Sequence, residues 1–399
     1  MAKIRFLTEN EIKIIAAGEV IERPASIVKE LVENSLDAKA DFIKIEIGNG
    51  GKDFINIEDD GSGMEKEDLE LSVKPHATSK FFGVDDLSFG NINSYGFRGE
   101  ALASIASISN LTISTKTKDA ENGYKLKIIN GEKKILEKFN KNIGTEIKIE
   151  NIFDSIPVRK KFLKSKETEF NAISNVLIGM GLSSPKTKFS VFHNEKSIFQ
   201  WPSVENIFER IKQILPINLH EYILECDYKD DYLKVTGVIS SIEYGNYDRS
   251  NIYVLINKRL VKIYKITQAI IKAYSAELLS HRYPFAYLSI EIDKNEIDIN
   301  VHPRKEEIAF LHPKKVENSI INAIKKTLVQ RSKETFNSIS KENLFKGNFL
   351  NKNEAEEILN KSDEVSENFF LEESFNKKEE KDYLKNFSNK ENLNFLNND

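Results

Sequence analysis

Three groups of residues have types and spacings that could do chemistry. Glu30, Asn34 and Asp37 lie four and three residues apart, so a helix would put a carboxylate, an amide and a second carboxylate on one face. They border an apolar stripe of Val28, Leu31, Val32 and Ser35, where side chains are poorly placed for solvation alone. On this stretch by itself, a surface helix with ordinary charges fits equally well. Asp59 is the second group. Ile43, Ile45 and Ile47 alternate, Ile55 and Ile57 resume the pattern, and Asp59 takes the next inward position. A buried ionised carboxylate is costly unless hydrogen-bonded or paired. Asp59 therefore reads as an acceptor kept for the N–H groups of a ligand, with Gly61 and Gly63 admitting backbone close by. The plainer alternative is a strand that ends there, followed by an ordinary turn. The third group is Gly96-Phe97-Arg98-Gly99-Glu100-Ala101-Leu102, glycine punctuation running straight into a helical pattern. Free N–H groups and the positive end of a helix dipole suit phosphate, although a lone Gly-x-x-Gly more often marks only a helix start. No Gly-x-x-x-x-Gly-Lys-Ser/Thr occurs, which excludes a P-loop.

The elements that must hold these groups follow from periodicity. Arg23 to Ala38 reads as a helix, with Pro24 at its first position, where the missing N–H costs nothing. Residues 42–47 and 55–59 read as a hairpin around Gly48-Asn49-Gly50-Gly51. A short helical pattern over 11–20, closed by Gly18, and an arm over 1–10 precede the main helix. Residues 111–150 alternate as strands (111–113, 124–128 and 146–149). An amphipathic helix over 166–180 and a short strand pair before Trp201-Pro202 complete a first domain. Residues 1–205 thus read as α+β, a strand layer covered by helices. A second unit over 206–335 shows strands at 232–239, 252–256, 286–292 and 296–301, with helices over 266–279 and 313–332. From 336 to 399 the composition shifts to Asn, Lys and Glu, with 14 acidic residues against 9 lysines, one glycine and no proline. That tail reads as a disordered acidic linker.

Bulk composition narrows the function classes. With 399 residues, 40% hydrophobic and 30% charged, the chain has material for two or three domains. A net charge of −4 gives no global pull toward nucleic acid or membrane. The single cysteine, Cys226, forms no intramolecular disulfide, and six histidines show no zinc-type spacing. No signal-peptide core or long apolar run is present, so a cytoplasmic protein with no membrane partner is expected.

Taken together, four segments carry a specific resemblance: Gly18-Glu19-Val20-Ile21-Glu22-Arg23-Pro24 through Asp37-Ala38, Asp59-x-Gly-x-Gly, His76-Ala77-Thr78-Ser79-Lys80, and Gly96 through Leu102. In this order and at these distances they resemble the N-terminal half of the MutL family of DNA mismatch-repair proteins. That family belongs to the GHKL ATPases, with DNA gyrase, a heat-shock chaperone and sensor histidine kinases. The resemblance extends to Val301-His302-Pro303-Arg304-Lys305-Glu306, similar to the family's His-Pro-x-Lys element. It implies a Bergerat-type ATPase α/β sandwich over 1–205 and a ribosomal-S5-like transducer and DNA-binding domain over 206–335. It also implies the roles. Glu30 matches the general base and Asn34 the Mg2+ ligand, with Asp37 in the same nucleotide-binding set. Asp59 matches the carboxylate that reads the adenine amino group, and Gly61, Gly63 and Thr145 would line the base. Thr78, Ser79, Lys80 and the run Gly96, Phe97, Arg98, Gly99, Glu100, Ala101 and Leu102 resemble a lid over the phosphates. Lys305 resembles the second-domain lysine that reaches the γ-phosphate. The implied cofactors are ATP and Mg2+, with ATP driving homodimerisation.

Departures from the family pattern are few. Asp60 stands where Asn is common and adds a negative charge beside Asp59, which is expected to weaken nucleotide binding slightly. Ser155-Ile156-Pro157-Val158-Arg159, Lys258 and Ala309 also differ. Between Arg249 and Ala276 there is no acidic residue, whereas Lys258, Arg259, Lys262 and Lys265 are basic. With Arg159 they form the expected DNA-binding set, sequence-independent and salt-sensitive on single or double strands, although a solvated face explains such a run about as well. Implied partners are DNA, a mismatch-recognition protein of the MutS type, and a downstream helicase or nuclease, with nucleoid association when engaged on DNA. The family's Asp-Gln-His-Ala type nuclease motif is not found, so no endonuclease activity is expected from this chain. The competing class is a DNA-binding scaffold whose nucleotide site does not turn over.

Overall fold

The computed structural model describes residues 21–80, 99–129, 133–247, 249–257, 259–274, 282–298 and 309–346, with residues 5, 6, 8, 17, 18, 131 and 278. The expected helix over 11–20 and the arm over 1–10 fall almost wholly outside these, as do 347–399 of the expected tail. Two compact units are present, Met1–Leu328 and Val329–Asp399.

The first unit begins with helix α1 (Pro24–Asp37) and the hairpin β1 (Phe42–Gly48) and β2 (Phe54–Asp59). Helix α2 (Lys66–Ser72) and helix α3 (Ala101–Ile108) follow, then strands β3 (Asn110–Lys116), β4 (Gly123–Ile129), β5 (Lys133–Phe139) and β6 (Gly144–Glu150). Helices α4 (Pro157–Phe162) and α5 (Lys166–Ser183) lead to β7 (Lys188–His193) and β8 (Lys196–Trp201). The eight strands form one sheet in the order β5-β4-β3-β6-β2-β1-β7-β8. Only the β1–β7 pair is parallel. Period-two alternation puts Ile43, Ile45, Ile47, Ile55 and Ile57 on one buried face against α1, α3 and α5. The opposite face is polar: Asn56 donates to Glu46 and Glu146, and Lys141 pairs with Glu58. This is the expected two-layer α/β arrangement. Strand β5 was not expected. Its lysines interrupt the alternation, as suits an edge strand.

A second sheet, β12-β11-β13-β10-β9, is built from β9 (Ile223–Lys229), β10 (Leu233–Ser240), β11 (Ile252–Ile256), β12 (Arg259–Val261) and β13 (Ala286–Ile292). Helix α6 (Ile207–Ile214) precedes it. Helix α7 (Tyr264–Ala273) and helix α8 (Pro313–Lys346) cover one face through Ile266, Ile270, Val316, Ile320 and Ile324. The periodicity missed α6 and β9. The α6 start was signalled by Asn206, whose side chain accepts from the Glu209 N–H at 3.0 Å. Helix α8 continues to Lys346, past the start of the expected linker at 336.

Helix α5 keeps an exposed polar face at Glu167, Thr168, Asn171 and Asn175, as expected, but it packs against more than one sheet. Ile173, Leu177 and Met180 enter the core of the first sheet, while Leu182, beyond the expected end at 180, packs with Val238, Leu255 and Phe285 beside the second sheet. Gly179 makes the approach possible, since a Cβ there would stand 2.5 Å from Leu260 Cδ2. The Tyr287 hydroxyl donates to the Leu182 carbonyl at 3.2 Å. Arg210 of α6 is fully buried and donates to the Pro185 and Thr187 carbonyls, both at 2.6 Å. Burial draws its guanidinium down to about 10.

Helix α5 also anchors α1. Glu169 is buried and takes Arg23, the residue that opens α1, through Nε at 3.0 Å and Nη2 at 2.9 Å. Its other oxygen accepts the Lys164 N–H at 2.9 Å. Replacing Glu169 by Ala strands that amide and frees the start of α1. We expect Glu169→Ala to lower unfolding free energy in urea by about 2 kcal/mol, with Glu169→Gln losing about half as much. An unchanged midpoint in both would show that the clamp does not hold α1.

Candidate functional site

Helix α1 has no side-chain cap hydrogen bond at its start; Pro24 and the Arg23–Glu169 pair set its entry instead. Its buried face is Ile27, Val28, Leu31, Val32 and Ser35, and Glu30, Asn34 and Asp37 stand half-buried beside it. Ser35 is the one polar member of that face. Its hydroxyl donates to Asp59 Oδ2 at 2.7 Å, so α1 and the end of β2 meet at the residue next to Asn34.

Asp59 is 8% exposed. Strand β2 does end at Asp59, as the plainer alternative has it, yet Asp59 is still paired with Ile43 on one side and Thr145 on the other, so its carboxylate stays inside the sheet. Its Oδ1 accepts the Gly61 N–H at 3.0 Å and the Thr145 N–H at 3.3 Å. Burial is the largest influence on this carboxyl and raises its pKa, against the lowering effect of Ser35, Gly61 and Thr145. An ionised carboxylate has about four lone-pair sites. Among the described residues three are filled, which leaves one on Oδ2 that can accept an external N–H donor.

Around Asp59 the backbone is drawn in tightly. Gly61 lies against Ala38, and the Ser62 N–H donates to the Ala38 carbonyl at 3.1 Å, which ties the turn to the end of α1. Gly63 has φ +71°, and a Cβ there would fall 2.1 Å from the Lys116 carbonyl, so only glycine fits. Thr145 shares a hydrogen bond with Thr115 at 3.1 Å, and Thr115 also accepts the Met64 N–H at 2.9 Å. Asp60 accepts the Asp41 and Phe42 N–H groups at 2.9 Å each through Oδ1. Its carboxylate is therefore engaged at the start of β1, a role the sequence did not suggest. It remains the smallest of the influences that raise Asp59.

The segment after α2 crosses back to α1. The ammonium of Lys80 donates to Asn34 Oδ1 at 2.9 Å and to Asp37 Oδ2 at 2.5 Å. Thr78 accepts the Lys80 N–H at 3.1 Å, and Ser79 is exposed. Gly99, at φ +66°, packs on Ala77 and accepts the His76 N–H at 3.1 Å through its carbonyl. Glu100 precedes Ala101 and Leu102, the first turn of α3, with no side-chain cap hydrogen bond there. The structure thus gathers Glu30, Asn34, Asp37, Asp59, Gly61, Gly63, Thr78, Lys80 and Thr145 around the C-terminal half of α1 and the end of β2. Ser35, Thr115 and Asp60 join them. Ser35 was signalled by being a hydroxyl inside an apolar stripe, since buried polar groups have partners.

The donor chemistry suits the implied groups. Asn34 and Asp37 present oxygens that already attract a cation, and hard oxygens are what Mg2+ takes. Lys305, Lys258, Gly96, Phe97 and Arg98 lie outside the described residues. Arg259 lies in β12, and Lys262 and Lys265 are exposed just before and within the first turn of α7. Arg159 on α4 is half-buried, its guanidinium lying where a Cβ on Gly18 would be. Among the described residues no helix is long and apolar enough to cross a membrane, and no cluster of three His, Cys, Asp or Glu could hold a metal.

Comparison with known proteins agrees with this geometry. Residues 22–155 match the family described as histidine kinase-, DNA gyrase B- and HSP90-like ATPase, and residues 211–329 match the C-terminal domain of a DNA mismatch repair protein. DNA mismatch repair protein MutL of Rickettsia africae is 39% identical over 356 residues, 88% of this chain and 58% of the relative. MutL of Coxiella burnetii is 40% identical over 333 residues, 83% of this chain and 58% of the relative. The chain thus spans less than two thirds of the length of these relatives. Among solved structures, the N-terminal domain of a DNA repair protein superposes with a TM-score of 0.70 at 24% identity, covering 80% of this chain and 98% of its own. The Aquifex aeolicus MutL ATPase domain complexed with ADP gives 0.54 at 23% identity, covering 75% and 98%; both show the fold. Two family matches in the expected order, together with 39% and 40% identity to MutL proteins over 88% and 83% of this chain, make this chain a member of the MutL family of DNA mismatch-repair proteins, carrying the GHKL-type ATPase fold.

Proposed function

We propose that the chain is a Mg2+-dependent ATPase that acts as the ATP-switched coordinator of DNA mismatch repair. The observation that carries this reading is Asp59: a buried carboxylate with one acceptor site left, tied by Ser35 to the helix that bears Glu30 and Asn34. Asp59 accepts the exocyclic amino N–H of adenine, and Gly61, Gly63 and Thr145 bound the ring. Asn34 holds the metal, which when bound neutralises phosphate charge. Glu30 takes the proton of the attacking water. Thr78, Ser79, Lys80 and Gly96 through Leu102 close over the phosphates with backbone N–H groups, and Lys305 reaches the γ-phosphate. Because only ATP offers Lys305 that group, ATP and ADP favour different arrangements. On this reading residues 1–205 are the ATPase domain, 206–335 the S5-like domain and 336–399 a linker. ATP draws two copies together, and the dimer links a MutS-type protein to a downstream helicase or nuclease in the cytoplasm.

Two substitutions separate the roles. Glu30→Ala should leave ADP affinity within about twofold while lowering turnover by about 10²–10⁴. Asp59→Asn should abolish ADP binding at concentrations that saturate the unaltered chain. Equal loss of binding in both would refute the assignment. Calorimetry for binding and phosphate release for turnover give the two readouts, and turnover equal to that of Glu30→Ala in the unaltered chain would favour the non-hydrolysing scaffold.

Asp59 also predicts a stability effect. Its folded-state pKa is raised above the ordinary 3.8. Its contribution to stability is therefore fully present below that ordinary value and is lost as pH rises through the raised one. Asp59→Asn should accordingly unfold at neutral pH at the same temperature as the unaltered chain or higher, and lose less stability between acid and neutral pH. A lower melting temperature at neutral pH would show that ionised Asp59 is favourable where it stands.

DNA binding rests on Lys262 and Lys265, with Lys258 and Arg259 beside them and Arg159 adding less because it is half-buried. Helix α7 has a lysine and no acid in its first turn, the unfavourable sign for the helix dipole, so helix stability does not explain it. Lys262→Glu with Lys265→Glu should weaken DNA binding and flatten its dependence on salt, by about 0.9 for each duplex phosphate that is no longer neutralised. An unchanged slope would discard this patch.

A further inference from the structure

Asp37 and Lys80 form an ion pair that the reading above leaves unused. The Asp37 side chain is only 7% exposed, and the Lys80 ammonium, 23% exposed, lies 2.5 Å from its Oδ2. The same ammonium lies 2.9 Å from Asn34 Oδ1. Lys80 reaches these groups from a segment held at one other point, by the His76 N–H on the Gly99 carbonyl, and braced internally by the Lys80 N–H on Thr78. An asparagine side chain has one oxygen, and its nitrogen is a donor that cannot take a cation. Magnesium needs its oxygen ligands at about 2.0–2.1 Å. An ammonium and a dication on one amide oxygen would repel strongly at that range.

We propose that Lys80 is a built-in competitor for Mg2+ at Asn34, so that metal loading, and not base binding, detaches the residue 76–80 segment from α1. The inference rests on the nucleotide reading above. Asp59 and the base pocket involve no atom of the Lys80 cluster, so ADP can enter them with the ammonium still on Asn34. Mg2+ then takes the Asn34 oxygen, the ammonium leaves it, and the segment becomes free to turn toward the anionic phosphates. Lys80 is in this sense a positioning residue with two successive partners, and the exchange makes closure conditional on the metal.

The test titrates Mg2+ against the preformed ADP complex of the full chain and measures the concentration giving half-maximal tightening. For Lys80→Met, which keeps length and loses charge, the requirement should fall about tenfold, the expected effect of deleting one charge-assisted hydrogen bond. Lys80→Arg, which keeps a cation, should stay near the unaltered value. A Lys80→Met requirement that is unchanged or higher overturns the competition while leaving the nucleotide site intact. Failure of ADP to bind the unaltered chain under any condition overturns both. Hydrogen exchange on the unaltered chain needs no variant: the Lys80 and His76 amides should exchange faster with Mg2+ and ADP than with ADP in a chelator. Equal rates with and without the metal overturn the proposal.

Discussion

The hydrogen bond from the Ser35 hydroxyl to the Asp59 carboxylate joins the two elements the site is built on. It joins the last turn of one helix to the last residue of one strand, and both are buried in the same core. The carboxylate is buried at a cost, which the two backbone amides and the hydroxyl offset without filling every acceptor position. Because Ser35 follows Asn34 and lies five residues beyond Glu30, the bond also sets how far the helix can turn. Asp59, Asn34 and Glu30 are thereby kept in one fixed arrangement.

What holds α1 from its other end is a different kind of interaction. Arg23 and Glu169 form an ion pair in which the carboxylate is buried and the guanidinium is partly solvated. Such a pair contributes direction more than energy. It connects α1 to α5, the helix pressed between the two sheets. The packing is continuous from the second sheet through Leu260 and Gly179 to Glu169 and then to Arg23. Any rearrangement of the second sheet that reaches the site therefore has a rigid element to travel through, with Arg210 fastening the adjoining α6 to the entry of β7.

The Lys80 cluster illustrates why residues that resemble a phosphate lid need not face phosphate at every stage. A long flexible cation finds the nearest buried oxygens, and here they belong to α1.

Local pattern was enough to read α1, the β1–β2 hairpin and the inward position of Asp59, because helix and strand periods are set by backbone geometry within a few residues. It was also enough, through four ordered segments, to read the family and its fold. It did not show that the end of α5 packs on the second sheet, a contact that exists only once that sheet is in place, and it missed β5 and β9, edge strands whose pairing comes from a neighbour and not from alternation. The partners of Ser35, Asp60, Arg23 and Lys80 lie 24, 18–19, 146, and 43–46 residues away. Hydrogen bonds across such separations depend on which surfaces the packed core brings together, and that is decided by the whole fold and by no one stretch of the chain.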